Sequence, residues 1–292
     1  MLVLLLVLLL SVGAGIVAAV GVGRWPQADP ALSATRALDQ QRARWRRAHL
    51  FLHSRLDPAK TTGLALTFAL VAVVVAGVVL GAVVYMVRTK SGVVGIDESV
   101  ARWSAAHVEG VAFQSLRILT AFGSTPVIVL FAVACVLYGW RQGRIASIAL
   151  FLTLVVGGQS VISNLIKFGV DRVRPDLGHF GALGSASFPS GHATAASATY
   201  AALALVIGRN RPARTRATLA GIAVSIAVGV ACSRALLGVH WFSDVVAGLV
   251  LGWTWFAVCA VAFGGRLLWF GAPVEAASSS PSGPQTPVGS PR

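Results

Sequence analysis

Residues 145–175 read IASIALFLTLVVGGQSVISNLIKFGVDRVRP: an uncharged apolar run as far as Ile166, then Lys167, Arg172 and Arg174 in quick succession. A helix needs about 20 apolar residues to cross the hydrocarbon core of a bilayer, and the run from Ile145 to Ile166 meets that length. The pattern recurs along the chain, at Met1–Gly23, Gly63–Val87, Ile118–Trp140, Ala193–Ile207, Ala217–Ala235 and Val245–Phe263. The run at Ala193–Ile207 is short, and gains length if its helix begins near Ser190. Across 292 residues, 56% are hydrophobic and only 12% charged, about half the charge of a soluble domain. The fold class expected is therefore all-α, a polytopic transmembrane helical bundle with seven spans.

The formal charge of +14 does not point to nucleic acid. The basic residues sit in short segments between apolar runs, where they set membrane topology, and they are not interleaved with aromatic residues that would stack on bases. The first run has no basic residues ahead of it, unlike a secretory signal, so residues 1–24 read as an N-terminal transmembrane helix or an uncleaved signal anchor. A basic linker follows at 25–62, with Arg36, Arg42, Arg44, Arg46, Arg47 and Arg55. Its stretch Ala31–Leu56 is patterned as an amphipathic helix suited to anionic headgroups. Placing this linker in the cytoplasm puts Arg141, Arg144, Arg209, Arg211, Arg214, Arg216 and Arg266 on the same side. The loops at 167–192 and 234–244 then meet on the outer face of a cell membrane. Ile96–Val111 reads as an interfacial helix with Val100, Trp103, Ala106 and Val111 on its apolar face and Asp97 as its cap. Residues 265–292 form a cytoplasmic tail, disordered by its Pro, Ser and Gly content from Ala272 onward. Cys135, Cys232 and Cys259 each lie within an apolar run and suit packing.

The two outer loops concentrate polar residues that are costly beside apolar spans and so mark function. Lys167, Arg174 and Arg234 are three cations able to converge on one anion, Arg gripping phosphate oxygens bidentately and Lys as a point charge. Ser190 is placed to cap a helix and Gly191 to admit close backbone approach, so that the helix aims free N–H groups at an anion. A phosphoryl group suits such a cradle. Asp244 follows His240 by four residues and shares its face if the turn is helical. A carboxylate on one ring nitrogen fixes the tautomer and frees the other nitrogen to attack phosphorus. His192, without a carboxylate at that spacing, suits the general acid and then the general base. There is no carboxylate cluster to bind a metal, and no cofactor is expected. Outside this set, Arg172 reads as a surface or headgroup cation. Asp171 and Asp176 read as solvated loop residues, His179 as a loop residue, and Trp241 and Phe242 as interfacial anchors.

The strings KFGVDRVRP (167–175), PSGH (189–192) and SRALLGVHWFSD (233–244) resemble, in order and internal spacing, the three signature motifs of the type-2 phosphatidic acid phosphatase (PAP2) superfamily. The resemblance in helix order covers about Gly63–Gly264. It implies a phosphatase domain over 63–264 with a six-helix core, to which the N-terminal helix is an addition. It also implies a catalytic set of His240, His192 and Asp244, with Lys167, Arg174, Ser190, Gly191 and Arg234 on the substrate phosphate. The substrate expected is a lipid phosphate or pyrophosphate of the undecaprenyl pyrophosphate, phosphatidate or phosphatidylglycerophosphate type. A phosphotransferase that hands the phosphoryl group to an alcohol, and a non-catalytic membrane scaffold, stay open. Oligomeric state is not written in the spacing.

Overall fold

A computed structural model describes residues 2–24, 62–140, 145–176, 186–209 and 211–269. The amphipathic linker, the C-terminal tail and His179 lie outside the described residues. Those described form helices and connecting turns, without strands. The helices are α1 (Leu2–Arg24), α2 (Thr62–Arg88), α3 (Val93–His107), α4 (Gly110–Ala121), α5 (Thr125–Trp140), α6 (Ile145–Val170), α7 (Gly191–Gly208), α8 (Ala213–Leu236) and α9 (Phe242–Trp269). The last runs five residues beyond the boundary expected at 264.

Five of these helices, α1, α2, α6, α8 and α9, carry a stretch long and apolar enough to cross a membrane, and α4 with α5 makes a sixth if that bent pair is one span. The continuous run expected at Ile118–Trp140 is therefore broken. The axes of α4 and α5 differ by 45°, across Phe122–Ser124. The local chemistry explains the break: Pro126 cannot donate within a helix and belongs in a first turn, and Ser124 occupies the position before Thr125 that starts the new helix. The Phe122 carbonyl instead accepts the Tyr200 hydroxyl at 2.8 Å.

The helix expected to be a seventh span, α7, is not among those apolar enough. Its composition reflects its place at the centre of the bundle, in contact with α5, α6, α8 and α9. Ala193, Thr194, Ala196, Ser197, Ala198 and Thr199 are fully or almost fully buried there, so protein rather than lipid surrounds it. Without a hydrophobic drive between helices in lipid, association relies on close packing of small residues. The α7–α9 contact shows this: a Cβ on Gly252 would collide with the Thr194 carbonyl oxygen and with Ser197 Oγ. The added helix α1 docks on α8 in the same manner, where a Cβ on Gly15 would meet the Gly221 carbonyl oxygen at 2.6 Å. Beneath α7, Phe151, Leu152, Val155 and Val230 are almost wholly buried and complete the core.

The stretch expected as one interfacial helix is divided into α3 and the start of α4; of its apolar residues, Val100 and Trp103 are half-buried against the core. The buried residues of α3 are Asp97, Ala101 and Ser104, whereas Val111 is 73% exposed. Asp97 lies within the helix and is not its cap, a position held by Gly92.

Candidate active site

Alternating helix direction brings four helix ends together: the C-terminal ends of α6 and α8, carrying Lys167 and Arg234, and the N-terminal ends of α7 and α9, carrying His192 and Asp244. The extended segment 171–175 and the turn 237–241 close over them.

His240 precedes α9 in that turn and is 3% exposed. Its Nδ1 lies 3.6 Å from Asp244 Oδ2. Asp244 is held by its own helix start, because its carboxylate accepts the Trp241 backbone N–H at 3.0 Å, the reach of a first-turn acid to the capping position. Ser187 Oγ donates a short hydrogen bond to the same carboxylate oxygen. On the other side of the ring, Arg174 Nη1 lies 3.2 Å from His240 Nε2 and donates to the Val239 carbonyl at 2.7 Å. Guanidinium has no acceptor, so this contact leaves Nε2 as the lone-pair nitrogen and assigns the proton to Nδ1, facing Asp244. Burial pushes the His240 imidazole down to about 4, with the Asp244 carboxylate opposing and Arg234 reinforcing the shift. The ring is thus neutral at ordinary pH.

Opposite stands a wall of cations around the start of α7. Ser190 occupies the N-cap position of α7, as its sequence suggests, but its hydroxyl makes no capping bond. Its buried Oγ and the buried Nε of Arg234 have no hydrogen-bond partner, while Arg234 Nη1 reaches Thr120 Oγ1 at 3.4 Å. Lys167 Nζ sits over the start of α7, 3.5 Å from where a Gly191 Cβ would stand. His192 lies within electrostatic reach of Lys167, Arg174, Arg234 and His240. All eight residues singled out in the sequence therefore gather at this end of the bundle.

Four others join them that sequence reasoning placed elsewhere or passed over. Arg172 is not a surface cation: its side chain is 9% exposed and forms ion pairs with Asp244 at 2.6 Å and Asp97 at 2.7 Å. Its guanidinium also stands 5.2 Å from the Trp241 ring centroid, and Trp241 Nε1 donates to the Val173 carbonyl at 2.8 Å, so Trp241 braces the 171–175 segment. Ser187 and Ser243 complete the set. A signal for Arg172 existed in the spacing. In an extended segment alternate residues share a face, so Arg172 accompanies Arg174 inward while Val173 is 81% exposed. Among the described residues, no group of three or more His, Cys, Asp or Glu is arranged to hold a metal ion.

Buried histidine, carboxylate and cations thus share one end of a helical membrane bundle. Residues 148–267 match the PAP2 superfamily. It is 39% identical over 119 residues to lipid A 1-phosphatase of Rhizobium johnstonii, covering 37% of this chain and 44% of that protein. To phosphatidylglycerophosphatase B of Bacillus subtilis it is 36% identical over 105 residues, 35% of this chain and 52% of that protein. To decaprenylphosphoryl-5-phosphoribose phosphatase of Mycobacterium tuberculosis it is 37% identical over 121 residues, 39% of this chain and 62% of that protein. The matches span about half the length of these curated relatives. A transmembrane PAP2-type phosphatidylglycerolphosphate phosphatase from Bacillus subtilis, solved by crystallography, shares the fold with a TM-score of 0.58 at 24% identity, over 68% of this chain and 96% of that one.

Proposed function

We propose that this protein is an integral membrane phosphatase that removes a phosphoryl group from a lipid phosphate or pyrophosphate through a phosphohistidine. The observation that carries the reading is the His240 ring itself, with Asp244 on Nδ1 and Arg174 at Nε2. His240 Nε2 attacks phosphorus, and the bond from phosphorus to the lipid oxygen breaks. His192, whose pKa is pushed down by burial and by Arg234, takes up a proton as the anionic substrate offsets the nearby cations and gives it to that departing oxygen. His192 then takes a proton from water, whose oxygen attacks the phosphohistidine and releases phosphate, restoring both rings. Lys167, Arg174, Arg234, the Ser190 hydroxyl and the N-terminal amides of α7 hold the equatorial oxygens, where charge gathers in the transition state. The relatives named above act on lipid A, phosphatidylglycerophosphate and a decaprenyl phosphosugar, which supports a membrane lipid as substrate. The organisation proposed is a phosphatase domain over 63–264 behind an N-terminal helix and a basic cytoplasmic linker, with the site on the outer face. That sidedness rests on Arg209, Arg211, Arg214 and Arg216 lying at the end of the bundle opposite the site.

Phosphate release by the purified protein in detergent, over a panel of lipid phosphates and pyrophosphates with and without EDTA, tests the reading. Release that persists in EDTA and is absent from His240→Ala supports it, and the ranking of the panel names the substrate. Well-folded protein that releases phosphate from no member overturns it. In sealed, oriented vesicles, hydrolysis from the cytoplasmic side alone would overturn the sidedness.

A further inference from the structure

Asp97 is 1% exposed on a helix that lies outside residues 148–267, yet it makes its side-chain bonds with that segment. Its carboxylate accepts the Ser243 backbone N–H at 2.8 Å, the Ser243 hydroxyl at 2.6 Å and Arg172 Nη2 at 2.7 Å. The same guanidinium turns its other terminal nitrogen to Asp244 Oδ1 at 2.6 Å and to Ser243 Oγ at 2.8 Å. Arg172 is therefore forked between two buried carboxylates, one on α3 and one beside His240. We propose that Asp97, acting through Arg172, is a positioning residue for the His240–Asp244 pair.

The physical case has two parts. The first is geometric: with Oδ1 of Asp244 committed to Arg172, Oδ2 is the oxygen left to face His240 Nδ1, Ser187 and the Trp241 amide. A lysine could not replace this arrangement, since only a planar fork donates in two fixed directions. The second is electrostatic. His240 acquires positive charge as Nε2 bonds to phosphorus, and Asp244 must balance it. A guanidinium compensated by Asp244 alone would consume that charge, whereas Asp97 supplies the compensation from behind. The proposal rests on the phosphohistidine reading of the site.

Asp97→Asn is the direct test, because an amide keeps the size and can still accept the Ser243 N–H. Outer partners of a functional histidine are commonly worth roughly 10–100-fold in activity. In the full-length protein in detergent, Asp97→Asn is expected to lower kcat on that scale while KM stays within about threefold, and Arg172→Lys to do the same. In an Asp244→Asn background the Asp97→Asn step is expected to cost less than about twofold, because coupled groups are non-additive. Equal cost in both backgrounds, or a loss of kcat that only tracks the folded fraction, would show a structural tether and overturn the proposal. A second readout needs no turnover: the proton NMR resonance of His240 Nδ1–H, assigned by its loss in His240→Gln. Asp97→Asn is expected to shift it, and an unchanged resonance overturns the proposal. Should wild-type protein hydrolyse no lipid phosphate, the phosphatase reading fails on its own, and the resonance still decides the positioning claim.

Discussion

On the His240 side of the site, polar groups are matched to one another: Asp244 accepts from Arg172, Ser187 and the Trp241 amide, and Arg174 is anchored on the Val239 carbonyl. On the Ser190 side the buried hydroxyl and the Nε of Arg234 have no hydrogen-bond partner. Buried polar groups are normally satisfied, and each exception asks for a reason. The nucleophile proposed for this site must be held in one tautomer before any substrate arrives, and the wall around His240 satisfies itself. A wall that binds an anion has to keep donors in reserve. Pairing them internally would weaken the very interaction that stabilises charge in the transition state.

This contrast is broken most severely by removing the nucleophile. His240→Ala is expected to abolish lipid phosphate hydrolysis to below detection and to eliminate any phosphohistidine trapped by rapid quench. Asp244→Asn should follow, with kcat lower by roughly 10³–10⁴, because a wrong tautomer is about that costly in a His–Asp pair. Wild-type protein carrying no acid-labile phosphate, but fully active, would refute the division of labour between the walls.

The opposite wall should respond differently. Arg234→Gln is expected to cost about 10²–10³ in kcat/KM, the scale for losing one donor to a developing oxyanion, with little loss of thermal stability. Ser190→Ala is expected to cost about tenfold in kcat/KM, close to one hydrogen bond. It should also leave thermal stability unchanged or slightly higher, since it deletes a buried hydroxyl without a partner. A marked fall in melting temperature for Ser190→Ala would show the hydroxyl to be structural and would erase the distinction between the two walls.

Most of the bundle was legible because apolar length is a local property, and so was the gathering of eight polar residues at one end, whose types and spacings occur within Lys167–Asp244. What escaped was joined across distance or depended on the solvent. Asp97 and Arg172 are 75 positions apart, so no spacing rule connects them. In α3, Val100 and Trp103 of the expected apolar face pack on the core, but the burial of Asp97 beside them was not legible, because its partners lie far along the chain. The break before Pro126 was visible in Ser124-Thr125-Pro126, but apolar content on both sides masked it. The low apolarity of α7 has the same root as its central position: a helix sheathed by protein needs small residues more than it needs oily ones.

The smallest expected effect sharpens the comparison through pH. Burial holds the His240 pKa at about 4 in the folded protein, against roughly 6.5 unfolded. Between those values the unfolded chain binds the extra proton, so stability is full above about pH 6.5 and declines as pH falls toward 4. His240→Gln removes this titration without removing the hydrogen-bonding wall around it. Its melting temperature in detergent should therefore fall less steeply than that of the wild type between pH 6.5 and pH 4. Parallel curves would mean that the ring is solvated when folded, and the nucleophile's wall would then be no more closed than the one it faces.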